Sequence, residues 1–166
     1  MIAMLLVAAL AVPCYLPPVS APVTVPFEQP ACRFCPGHRG LRYSLPAGTP
    51  VVAVAAGTVT FAGSVAGTRY LVVLHTDGLR ATYGSLASHS FSAEQVVAQG
   101  AVVGLSGPQL YFGLRTADGA PLDPAPLLGH LLGRARLVPA DGGAPRPGPA
   151  PRLVCAVSLA QAARPP

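Results

Sequence analysis

Between Gly48 and Arg115 the chain is a succession of short, β-branched apolar runs, each ended by a glycine-containing turn. The runs are Thr49–Val54, Thr58–Ala62, Arg69–His75, Leu79–Tyr83, Ala101–Leu105 and Gln109–Arg115. None is long enough for a stable helix, and no apolar repeat of three to four residues links them. Five-to-seven-residue runs spaced roughly ten residues apart fit strands that pair with their neighbours. Thr76-Asp77-Gly78 between two apolar runs is a hairpin signal, because Asp-Gly supplies the positive φ of a tight turn. One short helical turn is expected over Ser92–Val96. The 18 Gly and 20 Pro residues reinforce the same reading. The fold class is all-β, an antiparallel sandwich or barrel-like core.

The ends read differently. Ile2–Val12 is apolar and uncharged, too short to span a bilayer but suited to the core of a secretory leader, with Val19-Ser20-Ala21 as a small-x-small cleavage pattern. The expected organisation is a leader over residues 1–21, an extension over 22–34, a β domain over 35–130, and a linker with a weakly ordered tail over 131–166. Contact with a membrane is expected only through the leader. Ala140–Pro151 is Pro/Gly-rich and cannot hold a ladder, while Leu153–Ala163 reads as a docking helix or a frayed end. An exported chain folds in an oxidising space. If Cys14 leaves with the leader, Cys32, Cys35 and Cys155 remain, and either Cys32–Cys35 or a bridge from one of them to Cys155 is open. A lipid anchor at Cys14 is disfavoured by Pro13.

Charge narrows the chemistry. All 11 basic residues are arginine, against six acids, for a net charge of +5. Without lysine there is no Schiff base, no lipoyl or biotinyl attachment and no phosphate-loop lysine. The charge is spread out, so no dense basic run points to nucleic acid. The carboxylates Asp77, Glu94, Asp118, Asp123 and Asp141 are scattered and form no glycosidase pair. Ser85 has no lysine to activate it as a nucleophile.

A longer ordered series of motifs runs through the domain. Gly37-His38-Arg39-Gly40-Leu41, Ala47-Gly48-Thr49-Pro50-Val51-Val52-Ala53, Gly57-Thr58-Val59, His75-Thr76-Asp77-Gly78, Thr82-Tyr83, Val97–Gly104, Phe112-Gly113-Leu114-Arg115 and Pro121-Leu122-Asp123-Pro124 follow one another in order. This series resembles the lysostaphin/LytM-type (β-lytic) zinc metallopeptidases over about 90 residues. The resemblance implies an antiparallel fold of the duplicated hybrid motif type shared with lipoyl domains. It also implies an extracytoplasmic, cell-envelope location and peptidoglycan cross-links as the substrate class.

The family's chemistry, as the resemblance implies it, needs a His, an Asp four residues later and the second His of a late His-x-His pair on zinc. Two further histidines, in a Tyr-x-His segment and at the first place of the late pair, orient the water. Here His38 keeps the first ligand place. Arg42 holds the Asp place, Gln109-Leu110-Tyr111 the late pair, and Tyr83-Gly84-Ser85 the Tyr-x-His segment. A guanidinium cannot donate a lone pair and repels a dication by several kcal/mol in a partly buried site, to order of magnitude (~). Tyr111 would ligate only as phenolate, against an unperturbed pKa of about 10. Ser85 and Gln109 cannot act as bases.

The expectation is a silent peptidase-like domain with no cofactor. Its groove (His38, Arg42, Tyr83 and Tyr111) would bind cell-wall peptide or a cell-wall hydrolase. The alternative is an active zinc endopeptidase with non-standard ligands. Cys32-x-x-Cys35-x-x-His38 has metal-like spacing that His75, His89 or Cys155 could complete, but a closed four-ligand site is structural and not hydrolytic. His75 is expected as a hydrogen-bonded sheet residue, and His89 and His130 as surface residues.

Overall fold

The structure is a computed structural model that describes residues 14–32, 35–132 and 151–155. Eleven strands follow one another in these segments: β1 (Val23–Val25), β2 (Leu41–Ser44), β3 (Pro50–Val52), β4 (Gly57–Val65), β5 (Thr68–His75), β6 (Arg80–His89), β7 (Val96–Val97), β8 (Val102–Arg115), β9 (Pro121–Leu122), β10 (His130–Leu132) and β11 (Arg152–Val154). Nine of them form one antiparallel sheet in the order β1-β2-β8-β6-β5-β4-β7, with β3 and β9 both paired to β8. The fold is all-β, as the run-and-turn pattern dictates.

Turn chemistry explains the hairpins. Ala66 (φ 48°) and Gly67 (φ 80°) join β4 to β5 in a two-residue loop whose double positive φ matches the twist of the strands. At the next corner the His75 carbonyl accepts from the Gly78 amide, the His75 amide donates to Leu79, and Asp77 Oδ1 accepts from the Leu79 amide. The Asp-Gly signal is therefore a real turn.

Two sequence expectations change. Ala101–Leu105 and Gln109–Arg115 are not separate strands but one fourteen-residue strand, β8. Pro108 is tolerated inside it because the ladder to β6 is already broken there: register slips between Gly84 and Leu86, and again before Ser88. The expected helical turn over Ser92–Val96 is a plain turn, held by the Ser92 amide on Gln95 Oε1, and leads into β7.

The core lies on one face of the sheet. Leu41, Phe112, Tyr83 and Leu71 are successive register partners across β2, β8, β6 and β5, and all four are buried. Tyr83 and Phe112 stack at 5.4 Å between ring centroids, and the Tyr83 hydroxyl accepts from the Val54 amide at 2.9 Å. Tyr83 thus belongs to the core and not to the groove, a correction that follows from strand alternation.

The segment before Pro22 packs in a way that nothing in the sequence reading anticipates. Residues 14–21 cross the core face as a strap: Tyr15 (2% exposed) and Val19 (6%) join the core, the Leu16 amide donates to Val54, and Tyr15 bridges to Leu128. Cys14 is disulfide-bonded to Cys155 with Cα atoms 5.7 Å apart, and Cys32 to Cys35. Removing residues 14–21 would take away packed core side chains and one half of a disulfide. Leu153 lies in β11, paired to β10, and not in a helix. The apolar run Ile2–Val12, the Pro/Gly-rich stretch up to residue 150 and the tail after Cys155 lie outside the described residues.

Candidate functional site

One residue along from the core row, the register turns over to the other face. Arg42 of β2, Tyr111 of β8, Gly84 of β6 and Tyr70 of β5 are successive partners there. A single-residue offset separates these side chains from the core, as the period-two pleat requires. Every ligand place that the resemblance implies falls on or beside this row.

His38 lies in the loop before β2. Two backbone hydrogen bonds with Glu28, of 2.8 and 3.0 Å, hold it. Its Nδ1 donates to the Pro26 carbonyl at 2.9 Å, which in the neutral ring leaves the lone pair on Nε2, and that atom is buried without a partner. That tautomer is the one a ligand through Nε2 needs. What stands beside it is an aromatic ring. Tyr111 meets the imidazole edge-on, with centroids 6.0 Å apart and planes at 87°.

Glycines make room for that ring. A Cβ on Gly40 would come within 2.8 Å of Tyr111 Cε2, one on Gly113 within 2.6 Å of its hydroxyl oxygen, and one on Gly84 within 3.3 Å of Cδ1. The phenol is therefore bedded in a backbone-lined hollow. Its hydroxyl donates to the Arg39 carbonyl at 2.8 Å. Burial raises its pKa, an effect that Arg115 and Arg39 offset in part and Tyr70 reinforces. The ring is a neutral hydrogen-bond donor at working pH, with no phenolate to offer.

The other positions follow suit. Arg42 is exposed, directly across from Tyr111. Gln109 is exposed opposite Ser44. Ser85 sits in the bulge after Gly84 with φ 61°, a left-handed conformation unusual for a residue with a side chain. Among the described residues no three His, Cys, Asp or Glu side chains come together as a metal-binding group. The disulfide takes both thiols of the Cys32/Cys35/His38 spacing. His75 is buried and bonded through Nδ1 to the Ala56 carbonyl at 2.9 Å. His89 is half-buried with Nδ1 3.0 Å from the Phe91 carbonyl, and His130 is exposed at the start of β10.

Residues 36–124 match Peptidase family M23. The chain belongs to this family. Over 95 residues it is 36% identical to the DD-carboxypeptidase/endopeptidase Mpg of Neisseria meningitidis serogroup B, covering 52% of this chain and 22% of that protein. Over 103 residues it is 35% identical to the cell division protein DipM of Caulobacter vibrioides, covering 54% and 17%. The chain thus spans about a fifth of the length of these curated relatives. Helicobacter pylori Csd3 superposes with a TM-score of 0.62 at 22% identity, over 70% of this chain and 35% of that one. The catalytic domain of the antimicrobial peptidase lysostaphin from Staphylococcus simulans does so with a TM-score of 0.55 at 21% identity, over 64% and 90%. These structures share the fold.

M23 peptidases are zinc-dependent, and the side chains at this site do not fit the ion. One imidazole lone pair is present at His38, but the hollow beside it is filled by a protonated phenol already committed to a carbonyl. The remaining ligand place carries a fixed positive charge. Sequence reasoning missed Tyr70, Arg39 and Arg115. Tyr70 was hidden in the longest apolar run, although its period-two place puts it on the opposite face from Leu71 and Val73. Arg39 adjoins His38, and Arg115 lies two strand periods beyond Tyr111, so the same alternation would have found it.

Proposed function

We propose that this chain is a catalytically silent M23 domain that binds cell-wall peptide on the sheet face carrying Arg42, Tyr111 and Tyr70. The reading rests on one observation: the Tyr111 ring fills a glycine-lined hollow beside the buried Nε2 of His38. A hydrolytic centre there would require an ion and an activated water, and metal activation of water is the step that makes amide hydrolysis feasible near neutral pH. Among the described residues, no set of His, Cys, Asp or Glu side chains on this face comes together to hold that ion. What remains is a shelf of aromatic and guanidinium groups, chemistry suited to holding a peptide. The relatives' names, a DD-carboxypeptidase/endopeptidase and an antimicrobial peptidase, support bacterial cell-wall peptide as ligand class. Two disulfides support folding outside the cytoplasm.

The test is a zinc titration of the purified chain alongside a muropeptide-binding assay. The expected outcome is muropeptide binding without stoichiometric zinc and without hydrolysis. Chelator-sensitive cleavage of a cross-linked peptide would overturn the reading.

A further inference from the structure

A cleft of about 760 Å³ opens on the core side of the sheet, the side away from Tyr111. Its walls are two segments that meet and then part. Tyr15 and Leu128 form a parallel bridge, in which the Tyr15 amide donates to the Leu127 carbonyl at 2.9 Å and the Gly129 amide to the Tyr15 carbonyl at 2.8 Å. Past that point no bridge joins the strap to β10 among the described residues, and both segments line the cleft. Each carries an open backbone edge. The Pro18 carbonyl still accepts from the Val52 amide at 2.9 Å, but no backbone group of Val19, Ser20 or Ala21 makes a hydrogen bond among the described residues. Among the same residues β10 pairs with β11 alone, so its second edge is free as well. Unpaired edges of this kind are templates for a further strand.

The side chains set what such a strand can carry. Leu41, Val52, Leu128 and Leu131 line the cleft, and no Asp, Glu or Arg does. A charged group buried there would go unpaired. The floor offers one polar side chain that is itself buried, Tyr43, 2% exposed. Its hydroxyl has no hydrogen-bond partner among the described residues, and burial alone pushes its pKa up to about 12, so it keeps its proton. A buried donor without an acceptor is destabilising, and a backbone carbonyl in the cleft would relieve it.

We propose that this cleft is a strand-addition site, in which an extended, uncharged segment of a partner protein lies between the strap and β10 and sets a backbone carbonyl on the Tyr43 hydroxyl. A strand suits the cleft because its main chain satisfies the open edges while every second side chain turns toward the apolar floor. A lipid chain would leave both edges and the phenol unsatisfied. The site lies across the sheet from the face carrying Tyr111 and does not depend on what that face binds.

The test uses the full chain and three probes: a blocked heptapeptide of alternating valine and serine, the same peptide with glutamate in place of valine, and the uncharged detergent octyl glucoside. Amide hydrogen exchange, followed by NMR, reads the strap wall. The valine peptide is expected to slow exchange at Ser20 and Ala21 by about tenfold or more, and the other two probes to leave it unchanged. Tyr43→Phe should weaken the valine peptide about fivefold, the loss of one hydrogen bond. Leu131→Glu, at a side chain 47% exposed, should abolish its binding without lowering the melting temperature. Muropeptide titrations of Leu131→Glu are expected to match the parent, which separates this site from the reading of the other face. No protection by the valine peptide would overturn the proposal, and so would equal protection by the detergent. Slow exchange at Ser20 and Ala21 in the chain alone would also overturn it, by showing that the chain's own residues or a second copy fill the cleft.

Discussion

Tyr111 fills its hollow on the strength of three missing side chains, at Gly40, Gly84 and Gly113, so each partner constrains the other. Gly113→Ala places a methyl group 2.6 Å from the phenol oxygen and 3.1 Å from the Arg39 carbonyl. That overpacking is expected to cost about 1–3 kcal/mol in a denaturant titration. Ser85 makes the converse case. Its φ of 61° is strained for a side-chain-bearing residue, so Ser85→Gly should stabilise the fold by about 0.5–1 kcal/mol, read as a higher melting temperature. His75 sets a pH dependence. Burial lowers its pKa, against smaller raising effects of the Ala56 carbonyl and Asp77, while Tyr15 packs on its ring. The folded state therefore keeps it neutral where the unfolded chain protonates, from about pH 6.5 downward. Stability contributed by the neutral ring is complete above that pH and erodes as pH falls toward the folded pKa. Urea midpoints should drop between pH 7 and 5 in the parent chain, and His75→Gln should flatten that slope.

The strap is the element that the sequence concealed. Apolar residues up to Val12 followed by small residues at Val19-Ser20-Ala21 satisfy a leader pattern whether or not the later ones pack, and nothing local marks Tyr15 as a core residue. Only tertiary partners reveal it: its hydroxyl reaches Asp77 Oδ2 at 2.5 Å, across 62 residues. Tyr15→Ala should destabilise by about 3 kcal/mol in chemical denaturation, the range for emptying a buried aromatic site. A result near zero would mean that the strap is not part of the folded domain. The hairpins, by contrast, were legible because Asp77-Gly78 carries its turn chemistry in its own backbone. The continuity of β8 was not. Pro108 argues for a break until the opposing bulge at Ser85 is seen.

At the scale of the molecule, fold and chemistry separate along the pleat. Leu41, Phe112, Tyr83 and Leu71 keep the core row intact, and the glycine turns keep the topology, so M23 membership was readable from ordered motifs alone. The row one residue away carries Arg42 and Tyr111 without disturbing that core, which is why both stood out against the resemblance. Their consequences in space were not: the glycine-lined hollow around Tyr111 appears only once the strands are paired, and Tyr83 had to be moved from groove to core. The central claim, that this face no longer holds an ion, is tested by elemental analysis of the purified chain beside its R42D/Y111H variant, both dialysed against zinc. The parent is expected to carry far less than one zinc per chain, and the variant, with His38 and two regained ligands, to approach one. One tightly held zinc per parent chain would contradict the account.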